Sequence, residues 1–249
     1  MKRYGLIGRR LGHSLSQELF EAQGFEDACY GLYEMASLDG LRQWVDEEHI
    51  DGFNVTIPYK QAIIPLLDAV DDTAAAIGAV NCVSVEDGRL IGHNTDAPAF
   101  KETLAERPHV AALILGTGGA AQAVAYALRQ LGTEYKFVSR HPERHDNAIS
   151  YEEATSLLRN IPCRVSTLIN ATPVGMYPNN GNTPLPLSTL HFPLSTLHFP
   201  LSTLLVYDLI YNPSQTLLMR EAAACGAKVK NGLDMLRKQA ELSWRIWGL

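Results

Sequence analysis

Cysteine is scarce in this chain, and its spacing forms no motif. Four cysteines among 249 residues stand at Cys29, Cys82, Cys163 and Cys225, never as a Cys-x-x-Cys pair. That pattern argues against zinc or a disulfide framework and is expected of reduced packing thiols in the cytoplasm. Positive charge is also short. Lysine and arginine number 21 against 27 aspartates and glutamates, a net charge of −6. Nonspecific nucleic-acid binding needs a basic surface that displaces counterions, so it is not expected. No apolar run is long enough to span a bilayer, and the opening MKRYGLIGRRLGHS lacks the apolar core of a secretory signal. What remains is 46% hydrophobic and 19% charged, ordinary for a soluble protein, in a chain long enough for one large domain or two modest ones.

The first ~95 residues read as a small α/β unit. Residues 3–8 and 29–35 predict strands. A polar turn from Gly12 to Ser16 leads into a short helix through Phe20, and Ser37 is expected to cap a helix ending near Glu48. In GFNVTIPYK (52–60), Phe53, Val55 and Ile57 alternate with Asn54 and Thr56. An apolar face opposite two hydrogen-bonding side chains, broken by Pro58 just before Lys60, fits either a solvated edge strand or a polar strand end beside a proton-transferring amine. KQAIIPLLDAV predicts a helix interrupted at Pro65, DDTAAAIGAV a shorter one, and AVNCVSVEDGRLIGHNTD a hairpin about Asp87-Gly88.

The pattern then changes. HVAALILG (109–116) is an unbroken apolar run, as in a strand covered on both faces. An alanine-rich helix to Leu131, closed at Gly132, and the strand EYKFVSR (134–140) complete a βαβ unit. Residues 166–172 and 204–211 predict two more buried strands. SQTLLMREAAACG predicts a helix capped by Ser214 and ended at Gly226. AKVKNG predicts a last strand, and LDMLRKQAELSWRIW an amphipathic closing helix. The alternation predicts a Rossmann-like, doubly wound parallel sheet. PLSTLHF occurs at 186–192 and 193–199, with PLSTLL at 200. The copies are too short for a solenoid and read as a local duplication in a surface connection, with His191 and His198 as passengers rather than metal ligands.

LILGTGGAAQAV places Gly116, Thr117, Gly118, Gly119 and Ala120 at a strand-to-helix turn. There the backbone can approach a pyrophosphate and the helix start offers free N–H groups; a tight packing turn is the plain alternative. A cofactor with a free 2′-hydroxyl wants a carboxylate at the end of the next strand. VSRHPER (138–144) instead offers Ser139, Arg140 and Arg144 and no acid before Glu143. A hydroxyl and two guanidiniums suit a phosphate dianion, so the expected cofactor is NADP rather than NAD. GHSLS, NVTIPYK, GAVNC and GHNTD add polar groups at strand ends, fit for a small polyhydroxylated acid or for ordinary turn chemistry.

Taken in order, these pieces resemble the shikimate dehydrogenase family over nearly the whole chain. The family's SxS matches Ser14 and Ser16, NVTxPxK matches Asn54 to Lys60, and GAVNT appears as Gly78 to Cys82. NTDG reads Asn94 to Ala97, the glycine loop reads GTGG, and NRT reads Ser139-Arg140-His141. DxxYxPxxT matches Asp208, Tyr211, Pro213 and Thr216, and GxxMLxxQA matches Gly232, Met235, Leu236, Gln239 and Ala240. The resemblance implies an NADP-dependent oxidoreductase interconverting 3-dehydroshikimate and shikimate. Lys60 would be the catalytic lysine and Asp96 its paired carboxylate. Ser14 and Ser16 would hold the substrate carboxylate, and Thr56, Asn81, Tyr211 and Gln239 would contact the substrate. Asp72 aligns with an acidic position on the nicotinamide side, and Leu209 and Gly232 with backbone that meets that ring. The implied domains are 1–95 plus 233–249 for substrate and 96–232 for NADP, with the active site in the cleft between them, in a cytoplasmic monomer or homodimer. Gln17, Phe20, Ala97, Pro98, Ala99, Ser139 and His141 depart from the family pattern without removing a charged catalytic group. A quinate/shikimate dehydrogenase using NAD, or a ligand-binding relative without turnover, are the alternatives.

Overall fold

The structure, a computed structural model, describes residues 1–12, 14–104, 111–159, 165–187 and 203–249. Its strands are β1 (Lys2–Gly8), β2 (Ala28–Glu34), β3 (Gly52–Val55), β4 (Ala69–Val70), β5 (Cys82–Glu86), β6 (Arg89–His93), β7 (Ala111–Leu115), β8 (Glu134–Val138), β9 (Ala148–Ile149), β10 (Thr167–Asn170), β11 (Leu205–Asp208) and β12 (Lys228–Lys230). Its helices are α1 (Ser16–Glu21), α2 (Leu41–Glu48), α3 (Tyr59–Ala62), α4 (Asp72–Ile77), α5 (Asp96–Leu104), α6 (Gly119–Gln130), α7 (Tyr151–Arg159), α8 (Leu217–Ala224) and α9 (Leu233–Ile246). The chain divides into two compact units, Met1–Phe100 with Arg237–Leu249, and Lys101–Leu236. Among the described residues no helix is long and apolar enough to cross a membrane.

The first unit is built on a mixed sheet in the order β2-β1-β3-β5-β6-β4. β1 pairs parallel with β2 and β3, whereas β5 runs antiparallel to both β3 and β6. The β5–β6 turn puts Asp87 (φ 51°) and Gly88 (φ 75°) in the left-handed region, the geometry that matches strand twist in a two-residue hairpin. On one face Ile7, Phe53, Val55 and Val83 bury against Leu41, Val45 and Ile63. On the other, Tyr4, Phe20 and Tyr30 meet Trp244 and Trp247 from the C-terminal segment. The Tyr4 and Trp247 rings stack at 4.6 Å, and burying each such side chain contributes about 2 kcal/mol.

Three local expectations in this unit are corrected. The alternation in GFNVTIPYK stops at Val55, and Ile57 is 54% exposed. The chain turns at Thr56, whose carbonyl accepts from the Tyr59 amide. Ser37 does not cap α2; its hydroxyl bonds Asp39 two residues on, and Gly40 (φ 76°) occupies the cap. KQAIIPLLDAV is not one kinked helix. Pro65 sits in a single 3₁₀ turn, and the backbone beyond joins the sheet through bonds from Asp68 and Asp71 amides to Leu90 and Gly92 carbonyls.

The second unit holds an all-parallel sheet in the order β12-β11-β10-β7-β8-β9. The order reverses between β7 and β10, the switch point where doubly wound sheets bind ligands. Leu113, Leu115, Leu168 and Val206 from the strands pack with Leu158, Leu218 and Ala222 from α7 and α8. Thr216, not Ser214, caps α8: its oxygen accepts from the Met219 amide while its proton goes to the buried Asp208, which fixes the residue at the helix start. β9 and α7 are elements beyond those the sequence pattern predicts. The start of α7 carries a reciprocal cap, with Ser150 and Glu153 side chains each accepting from the other's amide. The duplicated PLSTLHF segment, apart from its two ends, and Cys163 lie outside the described residues.

Candidate active site

The sheet of the first unit converges on one end. Gly8 ends β1 and Val55 ends β3; β6 leaves at the same end, and antiparallel β5 enters there. Ser14 and Ser16 follow β1, Thr56 and Lys60 follow β3, Asn81 precedes β5, and Thr95 and Asp96 follow β6. Lys60, on the single turn of α3, reaches Asp96 at the start of α5. Its ammonium donates to Asp96 Oδ2 at 2.6 Å, with side chains only 16% and 6% exposed.

The other oxygen of Asp96 is held too. Asn81 Nδ2 donates to Asp96 Oδ1 (3.1 Å), to Thr95 Oγ1 (2.9 Å) and, more weakly, to Gln239 Oε1 (3.3 Å). Asn81 Oδ1 accepts from the Thr95 amide at 2.7 Å, so this side chain cannot be flipped. Beneath it, Asn54 donates to the Asn81 carbonyl and to Ser243 Oγ, and accepts from Tyr30. Ser243 bonds Thr95 and donates to the Gln239 carbonyl. A buried polar layer therefore locks the carboxylate, and the carboxylate locks the amine. Burial pushes the neighbouring Cys82 thiol up to about 12, against the Ser243 hydrogen bond, so it stays protonated and inert.

The second unit presents a different chemistry after β7. Gly116 has φ 99°, and a Cβ there would lie 2.9 Å from Thr172 Cγ2 across the switch point. Gly118 caps α6 without a side-chain bond, and a Cβ on it would meet nothing within 4 Å. The start of this helix has no side-chain cap, and its first N–H groups lack intrahelical partners, which fits a pyrophosphate. Thr117 bonds His145 Nε2 at 3.2 Å. At the end of β8, Ser139 Oγ accepts from the His141 amide, and Arg140 and Arg144 are exposed. The donor set fits a phosphorylated ribose. Leu209 and Gly232 do meet: a Cβ on Gly232 would overlap the Leu209 carbonyl oxygen. Asp208 accepts from Thr216, Asn170 and the Ile210 amide. Burial outweighs these donors and pushes its carboxyl above the usual range.

Of the residues singled out in the sequence, Lys60, Asp96, Asn81 and Gln239 form one bonded cluster. Ser14 and Ser16 bond each other at 3.0 Å, and Thr56 stands half-buried after β3. Tyr211 belongs to the second unit, while Asp72 is exposed in the first turn of α4 in the first unit. Tyr30, Thr95, Asn54 and Ser243 were not placed at the site from sequence. Asn54 and Thr95 lie inside the quoted motifs, and Ser243 lies one helical turn after Gln239, so spacing held that signal. Neither His145 beside Thr117 nor Asn170 beside Asp208 has a comparable pattern.

Residues 6–83 match the family model described as shikimate dehydrogenase substrate binding domain. The chain is 37% identical to a shikimate dehydrogenase (NADP(+)) of Shouchella clausii over 270 residues, covering 99% of this chain and 92% of that protein. It superposes on the crystal structure of shikimate dehydrogenase 1 from Peptoclostridium difficile with a TM-score of 0.83 and 34% identity, covering 100% of this chain and 92% of that one. The shikimate 5-dehydrogenase of Thermus thermophilus, solved in complex with NADP(H) and shikimate, gives 0.83 at 36% identity, covering 100% and 94%.

Proposed function

This chain belongs to the shikimate dehydrogenase family, and on that premise we propose that it reduces 3-dehydroshikimate to shikimate, reversibly and with NADPH, Lys60 exchanging the proton and Asp96 holding it in place. The observation that carries the reading is the 2.6 Å Lys60–Asp96 pair, made from residues 36 apart and backed by Asn81.

When bound, the reduced nicotinamide supplies the hydride. The protein must do the rest. As a ring ketone is reduced, negative charge develops on its oxygen. The Lys60 ammonium can donate to that oxygen and then transfer the proton; in the reverse direction the amine removes the hydroxyl proton. Asp96 takes one of the three N–H bonds of Lys60 and so fixes where the others point. Ser14 and Ser16 donate to the substrate carboxylate, and Thr56, Asn81, Tyr211 and Gln239 bond its carboxylate and ring hydroxyls. The loop Gly116, Thr117, Gly118, Gly119 and Ala120 holds the pyrophosphate, and Ser139, Arg140 and Arg144 hold the 2′-phosphate. Leu209 and Gly232 supply backbone to the nicotinamide side, with Asp72 as an acidic neighbour. The unit containing Lys60 binds substrate and the unit containing Gly116 binds NADP. The enzyme works in the cytoplasm as a monomer or homodimer, and its product feeds chorismate and aromatic amino-acid synthesis.

The test is the ultraviolet absorbance of NADPH on mixing with 3-dehydroshikimate. Oxidation is expected with wild type. Lys60→Ala should lower kcat steeply with KM for both substrates nearly unchanged, because the proton is transferred in the transition state. Turnover by that variant at the wild-type rate would remove Lys60 from the mechanism.

A further inference from the structure

The carboxyl ends of β10 and β11 are joined by a buried polar pair. Asn170 ends β10 and Asp208 ends β11; they stand opposite each other in the parallel register, and both are fully buried. Asn170 Nδ2 donates to Asp208 Oδ1 at 3.0 Å and to the Val174 carbonyl at 3.3 Å. Its Oδ1 accepts from the Thr172 hydroxyl at 2.7 Å and from the Thr172 amide at 3.0 Å. Every donor and acceptor of the carboxamide is thereby used, so it cannot turn over without leaving buried groups unpaired. Asp208 Oδ1 takes a second bond from the Ile210 amide at 3.0 Å, and Oδ2 takes the Thr216 hydroxyl at 2.7 Å.

The groups that donate to Asp208 are a carboxamide, a backbone N–H and a hydroxyl, none of them charged. Burying a carboxyl group on neutral donors alone costs stability, and an apolar pair would hold the strands as firmly. The polar pair adds direction, because its bonds run into the two loops that leave these strands. After β10, Thr172 is held where a Cβ on Gly116 would lie 2.9 Å from its Cγ2, and its hydroxyl oxygen accepts from the Val174 amide at 3.2 Å. After β11, the Leu209 amide donates to the Asn170 carbonyl and the Gly232 amide to the Ile210 carbonyl, each at 3.0 Å. A Cβ on Gly232 would overlap the Leu209 carbonyl oxygen, so that backbone contact tolerates no displacement. The Tyr177 amide donates to the Asn212 carbonyl at 3.2 Å, which joins the two loops farther out. One pair therefore sets both loops, beside the switch point where doubly wound sheets take their ligands.

We infer that Asn170 and Asp208 are positioning residues: they set Thr172 beside Gly116 and Leu209 against Gly232, and so hold the nicotinamide half of NADP at the geometry that hydride transfer needs. The inference rests on the proposed reduction and its cofactor. The adenosine half belongs to the glycine loop and Arg140, so the two halves should respond differently when the pair is broken. Asn170→Ala and Asp208→Ala break it, whereas Asp208→Asn can keep both bonds on the Oδ1 side. In calorimetric titrations of the full chain, adenosine 2′,5′-bisphosphate should bind all three variants within about twofold of wild type. NADP+ should bind the two alanine variants about tenfold more weakly, and Asp208→Asn should restore most of that loss. Single-turnover NADPH oxidation, with enzyme in excess and 3-dehydroshikimate saturating, should slow about tenfold or more in the alanine variants at unchanged amplitude. A pair that only kept the unit folded would lower the amplitude and leave the rate constant alone. An unchanged rate constant, or an equal loss of affinity for the bisphosphate, overturns the inference. If the alanine variants do not fold, Thr172→Val keeps the side-chain shape and removes the bonds of the hydroxyl. It should weaken NADP+ about threefold and spare the bisphosphate, and equal effects on both overturn the inference as well. Wild type that binds NADP+ without oxidising NADPH would instead reject the proposed reduction and leave the ratio of the two affinities to decide the rest.

Discussion

Asp96→Asn tests the amine–carboxylate pair without changing its shape. The replacement is close to isosteric, yet the surroundings cannot accept it. Asn81 Nδ2 points at Asp96 Oδ1, and the Thr95 amide on Asn81 Oδ1 prevents Asn81 from turning over. The new carboxamide must therefore offer its oxygen to Asn81, which leaves its NH₂ against the Lys60 ammonium. In the opposite orientation its NH₂ meets that of Asn81. Either way two donors face each other, and Lys60 loses the charge 2.6 Å away that holds it. With the lysine side chain 16% and the carboxylate 6% exposed, little solvent screens the change. Removing one partner of such a pair costs about 3 kcal/mol or more. If the loss falls on the transition state, kcat drops roughly 150-fold. The assay is steady-state NADPH oxidation beside a direct titration of NADP+, which should bind as in wild type. Thr95→Ser, which keeps every hydroxyl and amide bond, serves as the control and should stay within about threefold. An Asp96→Asn enzyme with kcat within twofold of wild type would refute the argument that Asp96 fixes Lys60.

Two further outcomes are expected. Arg140→Ala should raise the KM for NADPH about tenfold or more while changing NADH kinetics little, because only the 2′-phosphate needs the guanidinium; equal losses with both cofactors would move Arg140 out of the phosphate site. Asp208→Asn should flatten the dependence of stability on pH. Burial raises the Asp208 carboxyl in the folded state, so its contribution is fullest at low pH and is lost as pH rises through the folded value. Denaturant titrations should show the variant gaining on wild type as pH climbs above the usual carboxylate range, and a constant difference would contradict the raised value.

Much of the scaffold was legible in sequence because local rules carry it. The run AALIL reads as a doubly covered strand, Asp87-Gly88 as a tight hairpin, and Gly116 as a turn no side chain could occupy. The errors are local too, and each has a tertiary cause. Ser214 looks as good a cap as Thr216 until the buried Asp208 selects the second. KQAIIPLLDAV looks helical until the open edge of β6 takes its second half as β4. The Ser150–Glu153 cap, by contrast, follows the local S-x-x-E pattern of a capping box.

The sequence alone determined which chemistry was available. It contains an amine after a polar strand end, a carboxylate in NTD, glycines at a strand-to-helix turn and arginines where a ribose carboxylate would otherwise stand. Residue type and spacing establish that much, because backbone geometry and charge are local properties. Only the tertiary structure decided that Lys60 meets Asp96, that Asn81 holds its far oxygen, that Ser243 closes the layer from 189 residues beyond Asn54, and that Asn170 lies beside Asp208. Those contacts depend on strand order and register, which are set by the packing of whole sheets and leave no period in the chain.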